Sequence, residues 1–195
     1  MPKVLGRRFY SPKPTLVAKE LIGKSLVRRF ENGRELEGII VETEAYGGSR
    51  DPASHAYRGR TKRNEVMFGE AGHAYVYFTY GFHHCLNFVT GRKGVASAVL
   101  IRALEPTRGI EAMAAFRKTS KPTEIASGPG KICQALAIDR SLNGIDVTNA
   151  RSSIFVLNRY NRASVKVSER IGVNAGKGRK WRFFAEDNEN VSRRK

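Results

Sequence analysis

Short strand-like segments dominate this sequence, and they constrain the fold more than any other feature. Residues 25–30 and 34–45 contain many aliphatic and β-branched side chains, which favour strands. Asn32-Gly33 lies between them and favours a type I′ turn. The two segments are therefore predicted to form a β-hairpin.

Further strands are predicted along the chain, together with fewer helices. The predicted strands are 74–79, 85–90, 98–104, 154–157, 166–173 and 181–184. The predicted helices are 13–22, preceded by Ser11 as N-cap and Pro12, then 107–118, and then 127–137, opened by Ser127-Gly128-Pro129. Strands outnumber helices, and several follow one another through short turns. The predicted class is α+β, a single compact domain around a curved, mostly antiparallel β-sheet with flanking helices.

The size and composition are those of an ordinary globular protein. The chain has 195 residues, of which 41% are hydrophobic and 27% charged, so we expect one domain over 1–195, ordered over about 8–187 with frayed ends. The two cysteines, Cys85 and Cys133, form no disulfide framework. Without a secretory signal or a long apolar segment, we expect an intracellular monomer with no membrane partner, cytoplasmic or nucleoid-associated in a bacterium and nuclear in a eukaryote.

Positive charge is in large excess. The chain carries 35 Lys and Arg against 18 Asp and Glu, a formal net charge of +17. A protein that follows a phosphate backbone gains affinity from such charge because neutralised phosphates release counterions, whereas an enzyme for a small metabolite does not need it. The charge favours a polyanionic partner and leaves open whether that is DNA, RNA or a lipid surface.

The segment VETEAY at 41–46 places two carboxylates and a phenol on one side of a strand. Residues two apart on a strand face the same side, so Glu42, Glu44 and Tyr46 share a face. In a site without water the pKa of a carboxyl group rises, and the group can act as a base. Ordinary surface carboxylates on a solvated strand would give the same pattern.

Aromatic residues recur in the segment 75–82. Tyr75, Tyr77 and Thr79 are predicted to share one strand face, where the aromatic rings either stack on nucleic-acid bases or pack in the core. Tyr80 precedes Gly81 at a predicted turn. A large side chain at a turn tip is suited to wedge into a base stack.

Arg102 interrupts an otherwise apolar predicted strand. A buried arginine needs a partner, and Glu44 or Glu42 on a neighbouring strand is the expected one. The pair is either a structural ion pair or a device that holds a carboxylate and its water.

Seven segments together resemble the alkyladenine (methylpurine) DNA glycosylase family, in the right order and across almost the whole chain. They are VETEAY at 41–46, HAYRGRTKRNEVMF at 55–68, YVYFTYG at 75–81, CLN at 85–87, IRALEP at 101–106, SGPGKICQALAI at 127–138 and RIGVNAG at 170–176. The resemblance implies a mixed α/β domain around a curved antiparallel sheet, with no metal or redox cofactor. It also implies an enzyme that flips alkylated or deaminated purines out of duplex DNA. Because no lysine in these segments is placed as a Schiff-base nucleophile, we expect a monofunctional glycosylase that leaves an abasic site.

The same resemblance implies roles for individual residues. Glu44 matches the general base, and Arg102 and the backbone carbonyl of Ile171 match the groups that position its water. The residues that match the pocket around the flipped base are the walls Tyr46, His55 and Tyr77, the floor residue Cys85, and Asn87, which excludes guanine through its exocyclic amine. Tyr80 matches the wedge that fills the vacated space in the duplex.

Other groups are candidates for DNA contacts or for different activities. The predicted DNA contacts besides Tyr80 are Phe82, Arg58, Arg60, Lys62, Arg63, Lys131, Lys177, Arg179, Lys180 and Arg182. Two alternatives to the glycosylase are a non-catalytic basic nucleic-acid-binding protein and a metal-dependent nuclease that uses Glu42, Glu44 and Asp51. A zinc site at His83, His84, Cys85 and Cys133 is disfavoured because their spacing lacks paired ligands.

Overall fold

An antiparallel sheet forms the framework of the protein. The computed structural model describes residues 2–79, 81, 83–159 and 164–192. Within them the strands are β1 (Ser25–Arg29), β2 (Glu35–Tyr46), β3 (Ala74–Thr79), β4 (His83–Thr90), β5 (Ser97–Arg108), β6 (Ile154–Leu157), β7 (Val165–Ser168) and β8 (Arg182–Ala185). The order is β3-β4-β5-β2-β1-β6, and β8 joins β2 and β7. The sheet curls into a half-barrel, which confirms the predicted α+β class.

Helices flank this sheet within the same residues. They are α1 (Arg7–Tyr10), α2 (Pro14–Leu21), α3 (Ile110–Arg117) and α4 (Pro129–Ala135), and the short 3₁₀ helices are Gly48–Arg50, Glu65–Phe68, Pro122–Glu124 and Arg140–Leu142. The main apolar core lies between α2, α3, α4 and the sheet and includes Leu21, Ile40, Ile101, Met113 and Ile132. No helix in the described part of the chain has both the length and the apolar character needed to cross a membrane.

The β1–β2 hairpin forms as predicted, but its turn type differs. A type I′ turn needs positive φ at both central residues, and of residues 31–34 only Gly33 has one, at +78°. Phe30 and Arg34 close the loop, with Phe30 N–H donating to Arg34 at 2.9 Å. The connection is therefore a three-residue loop with glycine in the left-handed region, the second common hairpin type.

Several predicted boundaries are wrong, and for two of the helices the reason is local. Helix α2 begins at Pro14 without a side-chain cap, because a residue before proline is forced out of the helical region and Lys13 is extended. The predicted helix 107–118 begins only at Ile110 because β5 continues to Arg108, which pairs with Glu37. The predicted strand 166–173 is reduced to β7.

Strand β2 is buried on both faces over residues 40–45. One face packs on α2, where the hydroxyl of Thr43 donates to the carbonyl oxygen of Ala18 at 2.8 Å. Its N-terminal half pairs with β1, and its C-terminal half pairs with β8, from Glu42 opposite Phe184 to Glu44 opposite Arg182. The polar face of VETEAY is therefore enclosed by the protein.

Candidate active site

Glu44 is fully buried at the centre of a group of hydrogen-bond donors. Its Oε1 accepts a bond from the backbone N–H of Ile171 at 2.7 Å. Its Oε2 accepts one from the Tyr46 hydroxyl at 2.9 Å and one from Nη1 of Arg102 at 3.3 Å. Surface carboxylates are thus the wrong interpretation of this strand face.

Arg102 pairs with both carboxylates of β2, which confirms the predicted ion pair. Its Nε donates to Oε1 of Glu42 at 3.0 Å, and its Nη1 donates to Glu44. Glu42 is opposite Ala103 and Thr43 is opposite Ile101, so Arg102 is the extra residue of a β-bulge, a feature that often re-aims side chains beside active sites. Burial opposes its charge, but Glu44 and Glu42 together raise the pKa of Arg102 above its ordinary value.

A pocket of about 490 Å³ lies beside these groups. Its volume is within the range of about 300–1,000 Å³ that is typical of small-ligand sites. The predicted pocket residues all line it: Tyr46, His55, Tyr77, Cys85 and Asn87, as do Arg102 and Ile171. The structure therefore brings together the residues that the family resemblance places around a flipped base.

Aromatic rings form one side of this pocket. The His55 and Tyr77 ring centroids are 4.5 Å apart with the planes at 80°, and His55 Nδ1 lies 3.0 Å from the Tyr75 hydroxyl oxygen. Partial desolvation and the nearby charge of Arg63 lower the pKa of His55, which favours the neutral ring. Burial also raises the pKa of Tyr75 to about 12, so this phenol keeps its proton.

The pocket floor comes from the β3–β4 pair. Tyr77 lies opposite Cys85, and Tyr75 lies opposite Asn87, which donates from Nδ2 to the carbonyl oxygen of Tyr75 at 3.1 Å. This bond fixes the orientation of the Asn87 amide. Burial raises the pKa of the Cys85 thiol, which keeps the thiol neutral.

The loop after β7 closes the pocket and is fixed by Arg170, a residue that sequence analysis missed. Arg170 donates to both carboxylate oxygens of Asp51, at 2.6 and 2.8 Å, and both side chains are fully buried. Its guanidinium lies over the rings of Tyr46 at 4.7 Å and Trp181 at 5.2 Å. A Cβ on Gly176, whose φ is +67°, would lie 3.1 Å from Arg170 Nη2. This glycine in RIGVNAG is the sequence feature that could have indicated a closely packed side chain here.

Tyr75 is the second residue that sequence analysis missed as part of the pocket lining. The sequence predicts that Tyr75, Tyr77 and Thr79 share one strand face, and all three line the pocket, which confirms the shared face. The ring of Tyr75 also belongs to a small apolar cluster with Met67 and Ala98. The alternation along β3 could have identified it.

Exposed basic segments adjoin the pocket on two sides. Arg58, Arg60, Lys62 and Arg63 follow His55 and are exposed, and Lys177 and Lys180 are exposed after lining residues 172–175. Arg60 pairs with Glu65, Arg63 lies over Tyr77, partly exposed Arg179 lies over Trp181, and Lys131 donates to Ser127.

Arg182 differs from the other predicted phosphate contacts. It is buried, and its Nε donates to Glu42 at 2.6 Å, so its prediction as a phosphate contact is wrong. Tyr80 and Phe82 lie outside the described residues.

The zinc candidates do not form a cluster. In the parts of the chain that the structure describes, no three His, Cys, Asp or Glu side chains are placed to hold a metal ion. The ring of His84 lies 5.1 Å from that of Phe78, while Cys85 lines the pocket and Cys133 is buried in the main core.

Comparison with known proteins agrees with this geometry. A family model described as methylpurine-DNA glycosylase matches residues 8–189. The chain belongs to the methylpurine-DNA glycosylase family. Two relatives that carry the name "Putative 3-methyladenine DNA glycosylase" are each 50% identical to it: one from Carboxydothermus hydrogenoformans over 98% of this chain and 100% of the relative, and one from Methanocella arvoryzae over 98% and 96%. A Francisella tularensis relative of the same name is 46% identical over 91% and 92%.

Proposed function

We propose that this chain is a monofunctional DNA glycosylase that hydrolyses the base–sugar bond of damaged purines in duplex DNA. The observation that carries the proposal is the buried Glu44 carboxylate, whose partners Arg102 and Ile171 line an aromatic pocket. Family membership and the name of the relatives support it, and that name points to 3-methyladenine. We include 7-methylguanine, hypoxanthine and ethenoadenine as substrates of the same class.

Glu44 is the proposed general base. Three donors occupy three of the about four acceptor positions of its carboxylate, so one can accept an O–H of the attacking water. The glycosidic C1′–N bond breaks and its electron pair leaves with the base, while the water oxygen bonds to C1′ and Glu44 takes the proton. We assign the positioning of that water to Arg102 and the carbonyl oxygen of Ile171. The negative charge of Glu44 also stabilises the developing oxocarbenium ion.

Tyr46, His55 and Tyr77 are the proposed walls around the flipped base. A cationic alkylated purine is attracted to the faces of aromatic rings, and the lowered pKa of His55 favours the neutral form of that wall. Asn87, whose amide is held by the Tyr75 carbonyl, is proposed to reject guanine by contact with its exocyclic amine. A damaged base is also easier to unstack, which favours its extrusion.

The proposed product is an intact strand with an abasic site. Strand cleavage by a glycosylase requires an amine that forms a Schiff base with the sugar. No lysine is among the described residues that line the pocket. Hydrolysis by Glu44 is therefore the proposed route.

Duplex DNA is the proposed partner of a monomeric, intracellular enzyme. The basic segments at 58–63 and 177–180 are placed to contact phosphates on either side of the pocket, because both adjoin residues that line it. Tyr80, which follows pocket residue Thr79 in the sequence, is proposed as the wedge, with Phe82 beside it.

A single assay tests this function. The unaltered protein is incubated, with chelator, with a duplex that carries one hypoxanthine or ethenoadenine, and base release and strand cleavage are measured with and without alkali. We expect free base and cleavage at the lesion only after alkali. Cleavage without alkali would contradict a monofunctional enzyme.

The same assay separates the two alternatives. A non-catalytic binding protein would bind damaged and undamaged duplexes alike and release no base. A metal-dependent nuclease would cut undamaged strands in a chelator-sensitive way. The carboxylates that such a nuclease would use, Glu42, Glu44 and Asp51, are each bound by an arginine, which favours the glycosylase.

A further inference from the structure

Glu42 carries a buried carboxylate that has no part in the proposed reaction. It is fully buried, and its Oε1 accepts bonds from Nε of Arg102 at 3.0 Å, from Nε of Arg182 at 2.6 Å and from the Ser192 hydroxyl at 2.9 Å. Its Oε2 accepts the Ser192 N–H at 2.7 Å. A carboxylate with so many donors is held in one orientation.

The fixed orientation of Glu42 determines which nitrogens of Arg102 can reach Glu44. An arginine beside a single carboxylate prefers a bidentate pair, with two parallel N–H···O bonds. Glu42 takes Nε, which excludes a side-on pair with Glu44 through that nitrogen, and Arg102 reaches Glu44 through Nη1 alone, at 3.3 Å. Among the described residues none accepts a bond from Arg102 Nη2, and Arg102 lines the pocket. Nη2 of Arg102 therefore stays available to a group in the pocket, and the carboxylate of Glu44 keeps one acceptor position.

The end of the chain supplies half of the contacts that hold Glu42. Ser192 is buried and donates to both Glu42 oxygens, and its carbonyl oxygen accepts a bond from Arg182 Nη2 at 3.3 Å. Arg182 is fixed further by a bond to the Ser168 hydroxyl at 3.1 Å. The buried group of Glu42, Glu44, Arg102 and Arg182 has no net formal charge, which lowers the cost of burying it.

We propose that Glu42 is a positioning residue that excludes the side-on bidentate pair of Arg102 with Glu44 by holding Arg102 through Nε, and that Ser192 fastens Glu42 in this role. The proposal rests on the proposed glycosylase function. It assigns the C-terminal segment, 148 residues beyond Glu44 in the sequence, a part in assembling the site. Glu42 itself takes no proton and touches no substrate.

Glu42→Gln tests the first part because it keeps the shape of the side chain and removes its charge. We expect the single-turnover rate of base release to fall about 10–100-fold, since a displacement of about 1 Å in a catalytic group can cost 10²-fold. The Kd for the lesion duplex should change by less than about threefold, and Glu42→Asp, which keeps the charge, should recover part of the rate. Rates are compared per active site, below the Tm of each variant, so that a loss of folded protein does not count as a loss of rate.

Variants of Ser192 test the second part at a position far from the pocket in sequence. Ser192→Ala removes one donor to Glu42 and Ser192→Pro removes both, so the rate should fall in that order. Asn188→Ala is the control in the same segment, because Asn188 donates to Glu105 rather than to Glu42, and it should excise at the unaltered rate.

The outcomes separate this inference from the proposed function. If the unaltered protein releases no base, the proposed function fails. If it releases base and both Glu42→Gln and Ser192→Pro do so at the same rate, only the positioning role is overturned. The positioning role would also be overturned if Asn188→Ala lost as much affinity for DNA and as much rate as the Glu42 and Ser192 variants. The effect would then be structural.

Discussion

At the scale of single residues, two carboxylates on one strand face have different surroundings. Glu42 and Glu44 are two positions apart, and both bind Arg102. Glu42 is also bound by a second arginine and by the chain end, whereas the remaining donors to Glu44 come from Tyr46 and Ile171, which line the pocket. These different environments of two identical side chains are the reason that we propose a chemical role for Glu44 and a positioning role for Glu42.

Glu44→Gln is the most direct residue-scale test. The amide cannot accept the proton of the attacking water, so the rate of base release should fall by at least about 10²–10⁴-fold, the usual contribution of general-base catalysis. Binding of the lesion duplex should persist, because the pocket walls are unchanged. Single-turnover rates and Kd values measure the two effects.

Glu20→Gln is the control for this variant, since Glu20 is exposed on α2. It should leave both rate and Kd unaltered. Substantial base release by Glu44→Gln would remove Glu44 from the role of base.

Tyr46→Phe separates the two contributions of Tyr46. Burial and the adjacent Glu44 charge raise the pKa of Tyr46 well above its ordinary value, so its hydroxyl donates to Glu44 at every working pH. Loss of a hydrogen bond to a charged group costs about 1.5–3 kcal/mol, so we expect a rate about 10–100-fold lower with an unaltered Kd. Tyr57→Phe, at an exposed tyrosine, should change neither, and a weakened Kd in Tyr46→Phe alone would show that the hydroxyl serves binding instead.

At the scale of elements, sequence patterns predicted the strands better than the connections. The hairpin β1–β2 and the shared face of Tyr75 and Tyr77 follow from local alternation, and they are found in the structure. The bulge at Arg102 and the single-glycine turn at Gly33 depend on pairing between strands, which local patterns do not encode. The family resemblance supplied the pocket residues, but it did not reveal that Asp51 pairs with Arg170.

Asp51→Asn tests this pair, which fixes the pocket-closing loop to the end of β2. Removing one partner of a buried ion pair leaves the other charge without compensation and costs about 3–5 kcal/mol. We expect a loss of this size in the free energy of unfolding from denaturant titration. Glu65→Gln breaks the exposed pair with Arg60, whose side chains are 59% and 60% exposed, and should cost less than about 1 kcal/mol.

The pair also predicts a dependence of stability on pH. Burial alone would raise the pKa of Asp51, but the bonds and charge of Arg170 and the N–H of Gly47 hold it below its ordinary value of 3.8. The unfolded chain therefore binds the proton more readily, so the stabilisation is present above pH 3.8 and is lost as the pH falls through the lower folded value. Unfolding titrations should show a steeper acid loss in the unaltered protein than in Asp51→Asn, and equal slopes would contradict the assignment.

At the scale of the whole molecule, we expect the position of the basic residues relative to the pocket to decide which of them contact DNA. The net charge is +17, and the exposed basic segments at 58–63 and 177–180 adjoin residues that line the pocket. Arg34 is also exposed, but it lies at the tip of the β1–β2 hairpin, at the other end of β2 from Glu44. Ten residues of extended strand separate the two by about 30 Å. Duplex DNA that reaches the pocket should therefore contact the first group and not the second.

The dependence of DNA binding on salt concentration tests which basic residues contact the duplex. Each phosphate contact adds about 0.9 to the slope of log K against log salt concentration, so Lys62→Gln and Lys177→Gln should each reduce the slope by about 1. Arg34→Gln removes the same charge and should leave the slope unaltered. With saturating DNA, all three should release the base at the unaltered rate, because none of them lines the pocket. An equal reduction in Arg34→Gln would mean that DNA is attracted by total charge, and the two segments would then have no special part in placing the duplex over Glu44.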